Sequence, residues 1–308
     1  MSKGKILVTD TLFIFDEHIQ QLADAGYEVV RIEKADTSED ELIELVKDKV
    51  GYILGGVEYV TDKVFEASNS LRAIVFTGTG YQGHIPGWKT ALKRGVKIGN
   101  TPYANVHEVA EWGLATTLAM QRDLFSLGPQ GKEKFNTVTS LPDLTVGIVG
   151  LGHIGKKYAD MISCIGAKKV IYSSRTKKDS PYQFTDKAEL FAKSDIIFVS
   201  VGDEAGENYI SSSELNKMKK GALLVSISHH GIINEQDLFD AINKNEIRAA
   251  LDIVHNKEMF KDLSSSSWYA SNSSAAYNSY GYLKRSSDMA VSTILNLLDK
   301  GEDKNQVK

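Results

Sequence analysis

The segment 145–174, TVGIVGLGHIGKKYADMISCIGAKKVIYSS, constrains the fold more than any other part of the chain. A short apolar run at 146–149 leads into Gly150, Gly152 and Gly155, spaced G-x-G-x-x-G. Tyr158, Ile162 and Ile165 then recur three or four apart, and a second apolar run occupies 170–172. Strand, tight turn, helix and strand within about 30 residues is the setting in which this glycine spacing marks a dinucleotide-binding turn. The glycines allow a tight turn, close approach of backbone to a pyrophosphate, and close packing of helix on strand. The phosphates sit at the positive end of the helix.

The end of the second strand distinguishes the cofactor. A carboxylate expected there, about 20 residues on, would hold the ribose hydroxyls of NAD. The chain instead reads Tyr172, Ser173, Ser174, Arg175, Thr176, Lys177, Lys178, with no acid before Asp179. Hydroxyls and a guanidinium suit a 2′-phosphate, so Ser174, Arg175 and Thr176 predict NADP(H) over NAD(H).

With 308 residues, 42% hydrophobic and 25% charged, the chain has the composition of a globular protein of two moderate domains. A net charge of −4 gives no reason to expect nucleic acid or an anionic membrane as partner. No apolar run approaches the roughly 20 residues of a membrane helix, and MSKGKILVTD runs straight into a strand pattern without a signal-type segment. The single cysteine, Cys164, is expected in the core of the fingerprint helix, and one cysteine excludes an internal disulfide. A reducing, cytoplasmic setting is the expectation.

Apolar runs and helical periods alternate from the start. Strands are expected at 5–8, 27–32, 51–54, 73–76 and 96–98, and helices at 16–25, 39–49, 61–67 and 88–94, with Ser38 as an N-cap. A long helix at 106–121 leads onward, and the pattern weakens to Asp143 around Gly128, Pro129, Gly131 and Pro142. After the fingerprint come helices at 187–192, 212–218 and 235–243 and strands at 196–201, 222–227 and 248–253. The stretch 264–279 lacks a period and is expected to be irregular, and 286–298 is a final amphipathic helix. The fold class is α/β, with two doubly wound, Rossmann-like parallel sheets.

Several segments together resemble the D-2-hydroxyacid dehydrogenase family. RAIVFTGTGYQGH is similar to its substrate loop, NTPYANVHEVAEWGLATTL to its Asn-Thr-Pro and linker helix, and TVGIVGLGHIGKK to its cofactor loop. GALLVSISHHGIINEQDL is similar to the strand and turn that carry its arginine, and RAALDIV to the strand that carries its Asp. The resemblance implies a discontinuous substrate domain, 1–101 plus 284–308, a dinucleotide-binding domain, 102–283, a cleft between them, and a homodimer. It also implies that Gly150, Gly152, His153, Ile154 and Gly155 cradle the pyrophosphate. Val201, Ser228 and Asp252 would line the rest of the nucleotide, with Asp252 accepting from the nicotinamide carboxamide.

The same comparison shows departures. The family's Arg falls on His229, its Glu on or near Lys257, and its His on Tyr277, with no Pro-His after Asp252. The ordinary Arg/Glu/His set is therefore not expected here. His229 or His230 could protonate or polarise a carbonyl, and Tyr277 could donate a proton beside a cation such as Lys257. Alternatively, Tyr269, Tyr277, Tyr280 and Tyr282 line a pocket or pack under a loop. Thr77, Gly78, Thr79, Gly80 and Tyr81 would offer backbone N–H groups to an anionic or carbonyl group, with Tyr103 at the same mouth. No metal site is expected. Three functions follow: an NADPH-dependent reductase of a small carbonyl or imine compound, a non-catalytic nucleotide-sensing protein of the same fold, or an ordinary 2-hydroxyacid dehydrogenase.

Overall fold

The structure, a computed structural model, describes residues 2–10, 13–34, 36–126, 137–229, 231–245, 247–271 and 275–307. His230, Gly128, Pro129 and Gly131 lie outside the described residues. The chain divides into two units, Met1–Asn105 with Ser279–Lys308, and Val106–Asn278. No described helix is long and apolar enough to cross a membrane.

The first unit is built on strands β1 (Lys5–Thr9), β2 (Glu28–Ile32), β3 (Lys49–Leu54), β4 (Ala73–Phe76) and β5 (Lys97–Asn100), all parallel, in the order β2-β1-β3-β4-β5. Helices α1 (Asp16–Asp24), α2 (Glu39–Leu45), α3 (Asp62–Ala67), α4 (Tyr81–His84) and α5 (Trp88–Lys93) connect them. Ser38 caps α2 as expected: its backbone N–H donates to the Glu41 carboxylate at 2.9 Å, and its Oγ accepts from the Glu41 N–H, closing a capping box. β1, β3 and β4 are buried on both faces and read as largely apolar runs, while the edge strand β2 carries Glu28 exposed and Arg31 half-buried. Leu7, Leu54 and Ile74 meet Leu42, Val64 and Ala91 on one side, while Ile6, Ile53 and Val75 meet Leu22 on the other. A polar network penetrates this core. Tyr52 Oη donates to Glu58 Oε1 at 2.9 Å and lies 2.9 Å from Thr9 Oγ1. Burial raises the Glu58 pKa from its ordinary 4.5, opposed by hydrogen bonds from Thr9 and Tyr52 and reinforced by Asp10 nearby.

The second unit opens with α6 (Val106–Gln121). Its sheet has β6 (Thr145–Val149), β7 (Lys169–Ser173), β8 (Gln183–Phe184), β9 (Ile196–Val199), β10 (Leu223–Ser226), β11 (Arg248–Leu251) and β12 (Trp268–Ala270), in the order β12-β11-β10-β9-β6-β7-β8. Helices α7 (His153–Cys164), α8 (Lys187–Lys193), α9 (Ser212–Leu215) and α10 (Glu235–Asn245) complete it. Every pairing is parallel. α6 and α7 cover one face through Ala110, Tyr158 and Ile162, and α8, α9 and α10 cover the other through Leu190, Leu215 and Leu238. The last helix, α11 (Tyr280–Asp299), returns to the first unit and packs Ala290, Ile294 and Leu297 against Ile6, Ile53 and Val75.

Three expectations are corrected. The stretch 264–279 is not wholly irregular, because β12 pairs in parallel with β11 at the sheet edge. Cys164 is exposed, and Ile165 is 47% exposed. The buried face of α7 ends at Ile162, and the helix stops before another turn could bring the next apolar side chain onto the sheet. α11 starts at Tyr280, earlier than the apolar period, because Ser279 caps it by accepting from the Tyr282 N–H at 3.0 Å.

Candidate functional site

At the C-terminal edge of the second sheet, each fingerprint glycine has a distinct physical reason. Gly150 lies at φ +93°, in the left-handed region, and a Cβ on it would stand 2.7 Å from the Ser200 carbonyl oxygen. A Cβ on Gly155 would fall on the Gly150 carbonyl and lie 2.6 Å from Ser200 Oγ, so only glycine lets α7 pack this close to β6. Ser200 fastens the turn from below, donating to Gly150 O at 2.8 Å. Gly152 is different: nothing lies within 4 Å of where its Cβ would be. It is the N-cap of α7, without a side-chain cap or an acid in the first turn. Open space in front of the uncapped N–H groups of a 12-residue helix is what a pyrophosphate requires, so these residues fit a dinucleotide. His153 is exposed at the first turn, and Ile154 packs on the core beneath it.

Beyond β7, Ser174 Oγ donates to Thr176 O at 2.7 Å and closes a short turn. Arg175 projects from it, its side chain 79% exposed and its Nη2 3.8 Å from Glu204 Oε1. Thr176 is exposed. Glu204, from the loop after β9, is a carboxylate that sequence reading missed, because nothing local marks it. Ser228 is buried, and its hydroxyl accepts from Val201 N–H at 3.1 Å and donates to Val201 O at 2.8 Å. Its observed contacts therefore tie the ends of β9 and β10 together.

Asp252 follows β11 and is 4% exposed. Its Oδ1 accepts from the N–H groups of Ala275 at 2.8 Å and Ala276 at 3.1 Å. Burial pushes its pKa above the ordinary carboxylate range, while these N–H groups and Ser271 hold it down. The consequence is positional: the carboxylate fastens the segment that leads directly to half-buried Tyr277. Glu235, at the start of α10, does the same for the neighbouring turn, accepting from His255 N–H at 2.7 Å and Asn256 N–H at 2.9 Å. Lys257 follows on an exposed 3-10 turn, and His229 is exposed past β10.

The other tyrosines separate. Tyr269 stacks on Phe125, with ring centroids 4.4 Å apart. Tyr282, in the first unit, is buried edge-on to Phe13, with its Oη donating to Thr77 O at 3.2 Å. Tyr280 lies 5.5 Å from the Phe15 ring. Tyr269 and Tyr282 are packing residues, while Tyr280 is largely exposed.

At the C-terminal edge of the first sheet, Thr77 O also accepts from Ser286 Oγ at 3.0 Å. Gly78 O accepts from Thr101 N–H at 3.1 Å, and Thr79 O from Asn100 Nδ2 at 2.9 Å. The carbonyls of this loop are thus held inward. Among the described residues, the N–H groups of Gly78, Thr79 and Gly80 make no hydrogen bond to backbone. Tyr81 is braced edge-on by Trp88. Tyr103, 57% exposed, sits at φ +64°, a conformation that costs a non-glycine residue about 1 kcal/mol or more. The Arg285 guanidinium holds it there by donating to the next carbonyl, Ala104 O, at 3.1 Å.

No group of three or more metal-ligating side chains occurs among the described residues. Residues 115–273 match the model described as D-isomer specific 2-hydroxyacid dehydrogenase, NAD binding domain. The hydroxypyruvate reductase of Thermotoga maritima is 28% identical over 257 residues, covering 81% of this chain and 82% of that protein. The D-3-phosphoglycerate dehydrogenase of Synechocystis sp. is 29% identical over 263 residues, and the match spans about half of its length, 46%. An acyclic imino acid reductase of known structure superposes with a TM-score of 0.86 at 21% identity, covering 99% of this chain and 100% of that one, a likeness of fold. A nucleotide turn of this geometry, inside a match that takes in half the chain, places the protein in the D-isomer specific 2-hydroxyacid dehydrogenase family of oxidoreductases.

Proposed function

We propose that the protein is an NADPH-dependent reductase of a small carbonyl or imine compound. The observation that carries this reading is the end of β7, where Arg175 projects from the Ser174–Thr176 turn and no acid precedes Asp179. A guanidinium and hydroxyls there favour a 2′-phosphate, as a carboxylate would favour a ribose hydroxyl. The imino acid reductase of the same fold is solved with NADPH and D-Arg, which makes imines a class to screen beside carbonyls.

The second unit serves as the nucleotide domain, with the pyrophosphate at Gly150, Gly152, His153, Ile154 and Gly155 and the rest along Val201, Ser228 and Asp252. The first unit presents the substrate loop, where the N–H groups of Gly78, Thr79 and Gly80 take a substrate carboxylate or carbonyl oxygen, with Tyr81 and Tyr103 beside them. The reduced nicotinamide supplies a hydride. The chain must then protonate the oxygen or nitrogen left with a lone pair. Tyr277 is assigned as donor because Asp252 fixes the two residues before it, and Lys257 is the cation that eases loss of its proton. His229 is the alternate donor.

The test titrates NADPH and NADH separately into wild type and Arg175→Ala. NADPH binds more tightly to wild type, and the substitution weakens it about 10- to 100-fold while leaving NADH unchanged, the size expected for one charge-assisted contact. Equal loss for both nucleotides removes the NADP(H) assignment. Tyr277→Phe then abolishes turnover with nucleotide affinity intact, whereas binding without turnover on any carbonyl or imine in wild type indicates a nucleotide sensor.

A further inference from the structure

Arg175 follows β7 and Glu204 follows β9, the two strands that flank β6 in the sheet, so their side chains meet beside the turn that Gly150 makes. Neighbouring strands lie about 4.8 Å apart, which sets the ends of β7 and β9 about 10 Å from each other with that turn between them. The ion pair of Arg175 Nη2 and Glu204 Oε1, at 3.8 Å, therefore spans the crevice at the carboxyl ends of the strands. Open α/β sheets take their ligands there.

The loop after β9 makes room for this carboxylate. It lies back over Gly202, where a Cβ would collide with Glu204 Oε2. Both partners are more exposed than buried, and 3.8 Å is beyond hydrogen-bond distance. An exposed pair of this kind holds weakly and gives way to a better-matched partner. A phosphate is that partner, since it offers the planar guanidinium two oxygens at once and carries more charge than a carboxylate.

Building on the assignment of Arg175 to the 2′-phosphate, we propose that Glu204 is the residue that sets the margin between the two nucleotides, by competing for Arg175. With NADP(H), the phosphate replaces the Glu204 carboxylate on the guanidinium, and Glu204 turns to solvent, away from a like charge. With NAD(H), a hydroxyl takes the place of the phosphate. Glu204 then accepts from it, supplying from β9 the carboxylate that the end of β7 lacks. The protein thus binds both nucleotides, and its preference for NADP(H) is smaller than Arg175 alone would make it.

The experiment titrates NADPH and NADH separately into wild type, Glu204→Gln and Arg175→Ala at low ionic strength. Glu204 is exposed, so its substitution leaves the fold and the unliganded Tm in place. Glu204→Gln is expected to tighten NADPH about fivefold, by freeing Arg175 and removing a like charge. It is expected to weaken NADH about threefold, because an amide oxygen is a poorer acceptor than a carboxylate. These opposite shifts are the signature, since a structural role for Glu204 moves both affinities the same way. Equal loss of both nucleotides in Arg175→Ala, or binding of neither by wild type, removes the NADP(H) assignment and the role of Glu204 with it. Selective loss of NADPH in Arg175→Ala, with anything other than opposite shifts in Glu204→Gln, overturns the role of Glu204 alone.

Discussion

Two strand-to-helix turns in this molecule are glycine-rich, and they use glycine for opposite ends. After β6, Gly150 and Gly155 bring backbone against backbone, and Gly152 alone faces open space in front of a full-length helix. After β4, the helix that follows has only four residues, and a Cβ on Gly80 would meet nothing. The first turn is rigid because its parts are jammed together, and it adds a helix dipole to its N–H groups. The second is rigid only because its carbonyls are tethered by Tyr282, Ser286, Thr101 and Asn100. A pyrophosphate suits the first, and a single carboxylate or carbonyl suits the second.

This contrast can be broken most sharply at Gly155. Gly155→Ala sets a methyl on the Gly150 carbonyl and is expected to cost about 3 kcal/mol, read as a lower urea midpoint together with lost nucleotide binding. Gly152→Ala is its counterpart: the same methyl enters open space, so stability stays within about 0.5 kcal/mol of wild type while nucleotide affinity drops about tenfold. If both substitutions destabilise equally, the division of labour among the glycines is wrong. On the other turn, Tyr282→Phe removes one tether of Thr77 O and is expected to cost about 1 kcal/mol in chemical denaturation.

The smallest effect concerns pH and the polar network beneath the first sheet's C-terminal edge. Burial raises the Glu58 pKa above 4.5, so the folded state holds this proton more tightly than the unfolded chain does. Its contribution is complete below about 4.5, the ordinary value, and is lost as pH rises through the raised folded value. Glu58→Gln should flatten the fall in Tm across that window, and an unchanged slope would assign the pH dependence elsewhere.

Local chemistry made much of this architecture legible in the sequence. The fingerprint, the Ser38 cap and the buried parallel strands each depend on neighbours within a few residues, and each appears where the residues predict it. What escaped depends on distant partners. β12 exists because β11 offers it an edge, and Trp268 and Tyr269 find Phe260 and Phe125 to stack on. Glu204 and Glu235 look like any surface acid until the fold brings Arg175 near one and the His255–Asn256 backbone onto the other. The four tyrosines near the end of the chain are alike in sequence. Only the placement of Thr77, Phe125 and Asp252 separates two packing residues from the one that follows a carboxylate-pinned turn.

The return of α11 to the first sheet has a consequence for synthesis. Ile294 and Leu298 come up against Gly51, so the first unit's core is finished by residues made after the whole of Val106–Asn278. On the ribosome the second unit can close on itself while the first waits with one face of its sheet bare. That interval is when a chain of this kind most needs a chaperone.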